Sequence, residues 1–283
     1  MNINEALIKS YDILKEADIE SYKIDAQILL CMVLKKDKMF IMLNRDYELS
    51  VEEKSTFIKF IELRKEKMPI KYITESCEFM GIDFFVKEGV LIPRPDTEIL
   101  VEETLSLIKS RKYTTICDVC CGSGAIGISI AKFCNNVEVD LIDISPIALE
   151  VTDININRLE AENNCNVYFS DLLENPINNG KRFDCIVSNP PYIRKDVIPE
   201  LMEDVKNYEP TLALDGGEDG LDFYRKITEQ SKQLLNNGGV LAFEIGHDQK
   251  VEVSTILEKN GFEDIKSYKD LAGLDRVVLG TFG

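Results

Sequence analysis

From residue 114 onward, short β-prone apolar runs alternate with stretches of helical period, and this alternation restricts the fold more than any other feature. Strands read at 114–119, 137–142, 166–169, 183–188 and 239–245, with two more near 262–267 and 275–281. Helices read at 125–133, from Ser145, from about Leu221 and near 249–259. Strands separated by helices cannot pair as hairpins, so they build a largely parallel sheet with right-handed crossovers and helices on its faces. Only a short segment, Asp270 to Leu274, joins the last two strands, which therefore pair as a hairpin and make one strand antiparallel. The expectation is an α/β fold with a seven-stranded, mostly parallel, Rossmann-like sheet.

Sheets of this kind do their chemistry at the carboxyl ends of the strands. The first strand runs Thr115-Ile-Cys-Asp-Val119 into the turn Cys120-Cys121-Gly122-Ser123-Gly124, and a helix opens at Ala125. Gly122 and Gly124 let the backbone turn tightly against a ligand, and the helix start offers free N–H groups. Such a turn is weak evidence alone. It gains weight from the next strand, which ends at Asp143, about twenty positions on, where a carboxylate reaches the hydroxyls of a bound ribose. The pair specifies a nucleoside site without choosing between a dinucleotide and S-adenosylmethionine. The methyl donor is favoured because Gly122, Gly124 and Gly127 come without a glycine at Cys120. A negative charge at Asp118 would also repel phosphate, yet could hold the donor's ammonium directly or through water.

The fourth strand, Phe183 to Ser188, delivers Asn189-Pro190-Pro191-Tyr192 to its carboxyl end. Two adjacent prolines fix φ, so the corner is stiff and the Asn189 side chain is held ready. The Asn189 side-chain oxygen and the Pro190 carbonyl can each accept an N–H from a planar NH2 group, and Tyr192 offers a ring face to clamp it. The bland alternative is a proline-rich turn that merely ends a strand.

At these residues the chain resembles the release-factor glutamine methyltransferases, within the class I S-adenosylmethionine-dependent methyltransferases. The resemblance runs through almost the whole chain. It includes Pro69-Ile-Lys-Tyr-Ile-Thr74, Phe79-Met-Gly81, Gly89 through Glu98 (Gly-Val-Leu-Ile-Pro-Arg-Pro-Asp-Thr-Glu), and Asp143-Ile-Ser-Pro-Ile-Ala148. It continues through Tyr208-Glu-Pro210, Ala213 to Gly217, Asp219-Gly-Leu221, Glu244-Ile-Gly246 with Gln249, and Ala272 to Arg276. Asn-Pro-Pro-Tyr turns are also similar to those of adenine-amine methylases, so the tetrapeptide identifies a planar NH2 acceptor and the surrounding blocks identify the family. The resemblance implies S-adenosylmethionine as donor, with S-adenosylhomocysteine as product. It implies an acceptor site at Asn189, Pro190, Pro191 and Tyr192, and donor contacts from Asp118, Cys120, Cys121, Gly122, Ser123, Gly124, Asp143, Asp171, Leu172 and Asn189. The implied reaction methylates the side-chain amide nitrogen of the glutamine in the Gly-Gly-Gln motif of peptide-chain release factors. A ribosomal-protein glutamine, an adenine amine, or mere nucleoside sensing on the same fold remain alternatives. Two residues depart from the family. Cys120 stands where glycine is usual and needs a backbone angle a cysteine must tolerate, while Leu172 replaces an aromatic expected against the adenine.

Composition fits this reading. At 283 residues the chain holds one α/β domain and a small accessory domain. Residues 1–75 read as a helical bundle that by resemblance helps select the release factor, 76–95 as a β-hairpin linker, and 96–283 as the methyltransferase domain. In the bundle, Ile3, Leu7, Tyr11 and Leu14 repeat at helical spacing, as do Ile24, Ile28, Leu29, Met32 and Val33, and Ser50 with Glu53 forms a capping box. In the linker, two strand-like runs, Cys77 to Val86 and Val90 to Ile92, surround Lys87-Glu88-Gly89. Arg94 and Glu98 either line the donor site or cap a helix and pair at the surface. Residues 193–220, poor in periodicity, suggest a mobile cover. A net charge of −17 repels nucleic-acid phosphate and suits a protein partner with basic patches, or simply a solvated surface. The eight scattered cysteines read as thiols rather than a disulfide framework, and no second Cys or His pair completes a metal site with Cys117, Cys120 and Cys121. The single histidine, His247, reads as a polar loop residue. With no apolar run approaching the ~18 residues of a membrane span and no signal-peptide pattern at Met1, the expectation is a cytoplasmic monomer.

Overall fold

The computed structural model describes residues 1–283, which divide into two compact units. One holds Met1–Ser76 together with Met202–Tyr208, and the other Cys77–Leu201 with Glu209–Gly283.

The first unit contains α1 (Ile3–Glu16), α2 (Tyr22–Leu34), α3 (Lys38–Leu43), α4 (Val51–Lys65) and α5 (Ile70–Thr74). Capping boxes start α1, through Asn2 and Glu5, and α4, through the anticipated Ser50 and Glu53. Ile3, Leu7 and Leu14 of α1 pack with Leu29 and Leu30 of α2 and with Phe57 and Ile61 of α4. The structure corrects the sequence reading of α2: Ile24, Ile28 and Met32 are exposed, and the helix turns Ala26, Leu29, Leu30 and Leu34 inward. That helix is apolar almost all round, so spacing alone cannot say which side faces in. A buried polar pair helps define the inward side. Asp25 Oδ2 accepts from Arg64 Nε of α4 at 2.7 Å and from Ser21 Oγ at 2.7 Å, while Arg64 Nη1 donates to the Met68 carbonyl at 3.1 Å.

In the second unit, β1 (Ser76–Phe79) and β2 (Ile82–Phe85) form a hairpin whose turn is Met80-Gly81. Both residues take positive φ, 53° and 70°, the type I′ geometry that matches strand twist. The expected arrangement around Lys87-Glu88-Gly89 is therefore wrong, and residues 90–92 are not a strand. The chain instead leaves β2 by exchanging two hydrogen bonds with one side chain: Phe85 N donates to Asn155 Oδ1 at 2.7 Å, and Asn155 Nδ2 to the Phe85 carbonyl at 2.9 Å.

There follow α6 (Glu98–Arg111), β3 (Thr115–Val119), α7 (Ala125–Phe133), β4 (Glu138–Asp143), α8 (Pro146–Arg158), β5 (Cys165–Phe169), α9 (Glu174–Asn178) and β6 (Phe183–Ser188). Then come α10 (Glu203–Tyr208), α11 (Asp222–Ser231), β7 (Leu235–Glu244), α12 (Lys250–Lys259), β8 (Phe262–Lys269) and β9 (Asp275–Phe282). The seven strands lie in the order β5-β4-β3-β6-β7-β9-β8. The first five are parallel, and β9 inserts between β7 and β8 antiparallel to both, which is the expected fold class with its single reversed strand. Alternate residues serve opposite faces. Ile116, Cys185 and Val187 pack with Leu100 of α6 and Ile128 of α7, whereas Cys117, Val119 and Ile186 pack with Ile227 of α11 and Leu257 of α12.

Residues 193–220 are less formless than their sequence implies. They contain α10, which belongs to the first unit and whose Tyr208 hydroxyl donates to the Glu66 carbonyl at 2.6 Å, and two 3-10 turns, Ile198–Glu200 and Thr211–Ala213. An isolated parallel bridge joins Ile193 to Asp215. No helix is long and apolar enough to cross a membrane.

Removing one partner of the buried Asp25–Arg64 pair leaves an uncompensated charge. Arg64→Ala is therefore expected to lower the unfolding free energy of the helical unit by about 3 kcal/mol in urea melts, and a double Asp25→Leu, Arg64→Met variant to recover most of it. A single variant no worse than the double would contradict the assignment.

Candidate functional site

The strand order reverses at β3, which has β4 on one side and β6 on the other. Val119 pairs with Ser188 across that reversal, so the turn beginning at Cys120 and the corner beginning at Asn189 leave the sheet side by side. Between them lies a cavity of about 260 Å3.

The glycine turn forms its near wall. Cys120, Gly122 and Gly124 all take left-handed angles, with φ of 60°, 57° and 78°, so the cysteine holds a conformation that glycine adopts freely. Backbone bonds stitch the turn, Cys121 N to the Ile142 carbonyl at 3.1 Å and Gly124 N to the Cys121 carbonyl at 2.8 Å. Two side chains of α8 hold its carbonyls: Thr152 Oγ1 donates to Gly122 at 2.9 Å and Asn155 Nδ2 to Ser123 at 2.9 Å. Neither was read from the sequence, because their polar groups sit within an otherwise ordinary amphipathic helix. Cys120, Cys121, Gly122 and Ser123 line the cavity. Gly124 does not line it but caps the start of α7.

Asp143 lines the cavity at the end of β4. Its Oδ2 accepts from Gly122 N at 3.0 Å and its Oδ1 from Ser145 N at 2.9 Å, which fixes the carboxylate and leaves further lone pairs for hydroxyl donors. Burial raises its pKa, against the backbone amides of Ser145, Gly122 and Ile144, which favour the charge. Apolar walls follow from Ile144, Ala148 and Leu172, with the Asp171 carboxylate beside them. A fixed carboxylate with lone pairs to spare, an apolar wall and a polar edge together fit a nucleoside.

Asp118 is placed differently from expectation. It is fully buried and does not line the cavity. Its Oδ2 accepts from Gly127 N at 2.9 Å, and its buried Oδ1 has no partner. Burial pushes its pKa up to about 7, the Gly127 amide opposes this, and the Asp143 charge adds to it.

Asn189 and Pro191 line the far wall. Asn189 Nδ2 donates to Thr97 Oγ1 at 3.3 Å, which leaves Oδ1 as an acceptor. Pro190 is buried and absent from the lining. Tyr192 is absent from it as well, and its hydroxyl turns to Glu244 Oε1 at 3.4 Å. The corner is braced from behind by Gln249, every polar group of which is used. Gln249 Nε2 donates to the carbonyls of Tyr192 at 3.0 Å and Gly220 at 3.1 Å, and its Oε1 accepts from Gly246 N at 3.0 Å and Tyr224 Oη at 3.3 Å. Gly220 must be glycine here, since a Cβ would meet the Tyr192 carbonyl at 2.5 Å. Arg94 lines the cavity and pairs through Nη2 with Glu209 Oε1 at 2.6 Å, whereas Glu98 accepts from Met80 N at 2.7 Å and serves the hairpin turn. Thr97, within the Gly89–Glu98 block, also lines the cavity, as do Phe223 and Lys226, which no local motif announces. His247 is exposed.

Comparison with known proteins agrees with this geometry. Residues 5–74 match the family model described as PrmC N-terminal domain, and residues 95–207 match Methyltransferase small domain. The chain is 56% identical over 283 residues to the release factor glutamine methyltransferase of Clostridium acetobutylicum, covering 100% of this chain and 99% of that one. It is 55% identical to the release factor glutamine methyltransferase of Clostridium botulinum, covering 98% of each. Among solved structures, the T. thermophilus 16S rRNA N2 G1207 methyltransferase aligns with a TM-score of 0.52 at 17% identity, covering 74% of this chain and 50% of that one, a likeness of fold alone. With full-length identity of this order added to the paired turns at the strand reversal, the chain belongs to the release factor glutamine methyltransferase family.

Proposed function

We propose that this chain transfers the methyl group of S-adenosylmethionine to the side-chain amide nitrogen, N5, of the glutamine in the Gly-Gly-Gln motif of a peptide-chain release factor. When bound, S-adenosylmethionine supplies an electrophilic methyl carbon on a sulfonium sulfur. The observation that carries the reading is the Asn189 amide, whose NH2 is engaged by Thr97 and whose oxygen is left to accept beside the nucleoside-shaped wall.

An amide nitrogen is a poor nucleophile because its lone pair is conjugated with the carbonyl, so the protein's task is alignment rather than strong-base catalysis. Asn189 Oδ1 would accept one N–H of the substrate NH2, orient its nitrogen, and stabilise positive charge as it develops there. Alignment and electrostatics of this kind together remove on the order of 10 kcal/mol of barrier. Pro190 and Pro191 contribute stiffness, and Gln249 holds the corner so that this acceptor does not drift. Asp143 would bind the ribose hydroxyls, with Ile144 and Leu172 covering the base and Asp171 at its edge.

Net charge of −17 supports a protein rather than a nucleic-acid acceptor, since a DNA or RNA methylase needs cationic neutralisation of phosphates. Incubating the chain with S-adenosylmethionine and a release factor, then mapping peptides by mass spectrometry, is expected to place one methyl increment on the Gly-Gly-Gln glutamine. An increment on a ribosomal protein and none on the release factor would transfer the reading to that substrate. Asp143→Ala is expected to weaken donor binding more than about tenfold by calorimetry, from loss of charged hydrogen bonds. Unchanged affinity would remove the ribose role.

A further inference from the structure

We infer that Phe223, in the first turn of α11, is a donor-binding residue whose ring covers the adenine of S-adenosylmethionine and supplies the aromatic surface that Ile144 and Leu172 lack. This rests on the donor reading proposed above and concerns a side chain for which that reading has so far found no use.

The sheet register says where a base must lie. Asp143 of β4 pairs with Phe169 of β5, and Ser170 N donates to the Asp143 carbonyl at 3.1 Å. Residues 170–172 therefore leave the sheet beside Ile144, and a base on a ribose held by Asp143 falls between that turn and Ile144. Both apolar side chains there are aliphatic. Leu172 is buried, has left-handed backbone with φ of 47°, and belongs to the core cluster that holds Leu221 and Ile227, so little of its surface is left for a guest.

Helix α11 brings a ring to this end of the cavity. Leu173 N donates to Gln230 Oε1 at 3.0 Å, which ties the helix to the turn. Phe223, Lys226 and Gln230 are spaced by three and then four residues and so share one helix face. Phe223 and Lys226 line the cavity with Asp171 and Leu172, while Tyr224, Ile227 and Thr228 turn into the core. Phe223 is half-buried: it packs against the cluster that contains Leu172, and the rest of its surface faces the cavity. Lys226 Nζ lies 5.9 Å from the ring centroid, a contact that helps keep the ring at the wall. The start of α11 also adjoins the acceptor corner, through the bond from Gln249 Nε2 to the Gly220 carbonyl. Chemistry decides between the two neighbours. An incoming amide needs the hydrogen bonds that Asn189 offers, whereas a fused aromatic base gains most from the face of another ring.

The test uses the full chain with S-adenosylhomocysteine and with 5′-methylthioadenosine, which keeps the base and ribose but lacks the amino-acid tail. By calorimetry, Phe223→Leu, which preserves apolar bulk and removes the ring, is expected to weaken both ligands by the same factor of about ten, and Phe223→Tyr to stay within about threefold of wild type. The chain contains no tryptophan, so Phe223→Trp introduces its only indole. Emission from that indole is expected to change on titration with S-adenosylhomocysteine, with a midpoint at the dissociation constant measured by calorimetry. If Phe223→Leu does not fold, this titration decides by itself. Emission unmoved at saturation, or wild-type affinity of Phe223→Leu for both ligands, would overturn the inference. So would a loss confined to S-adenosylhomocysteine, which would put the ring on the amino-acid tail, or a higher release-factor KM with donor affinity unchanged, which would put it on the acceptor. A wild-type chain that binds neither ligand would instead overturn the donor reading and the proposed function with it.

Discussion

The parallel pairing of β3 with β4 on one side and β6 on the other is the constraint on which the site depends. It brings two turns, separated by about seventy residues of sequence, to one edge of the sheet, with Val119 opposite Ser188. Each turn is stiff for its own reason. The first is held by left-handed backbone at Cys120 and Gly122 and by side chains of α8, the second by consecutive prolines and the Gln249 brace. Neither would form a cavity alone. The register of one strand pair therefore sets the distance between a nucleoside wall and an amide acceptor, and a one-residue slip would send the flanking side chains to the opposite face.

Buried polarity does the remaining work. Asp118 and Glu244 both sit in the interior at strand ends, both carry pKa values raised by burial to about 7, and both have one oxygen without a partner. Neither lines the cavity: Asp118 accepts from the Gly127 amide near the start of α7, and Glu244 from the Tyr192 hydroxyl at the acceptor corner. A fold that tolerates two such carboxyls holds the site's geometry with charges as well as with packing.

Much of the framework was legible in the sequence because its signals are local. Helix α7 and strand β6 fall at the residues read for them, since Gly124 and the Asn-Pro corner mark their limits chemically. The antiparallel β9 followed from loop length alone. What failed was non-local or ambiguous. The face of α2 was misread because the helix is apolar nearly all round, and only Arg64, 39 residues away, helps define the side that faces in. The hairpin turn was misplaced because Met80, a residue that seldom takes positive φ, shares it with Gly81. Asp118 and Tyr192 lie near the cavity without lining it, since a motif gives proximity to a site and not the direction of a side chain. Thr97 meets Asn189 across 92 residues and Glu244 meets Tyr192 across 52, contacts that only the folded sheet creates.

The central claim is that the Asn189 carboxamide aligns the accepting nitrogen and contributes little to holding the donor. The most direct measurement is a single-turnover methyl transfer to a release factor by Asn189→Ala, with S-adenosylmethionine affinity determined on the same preparation. The account predicts transfer slowed by at least about 100-fold with donor affinity within a few-fold of wild type. Transfer at the wild-type rate, or a loss fully explained by failure to bind the donor, would contradict it.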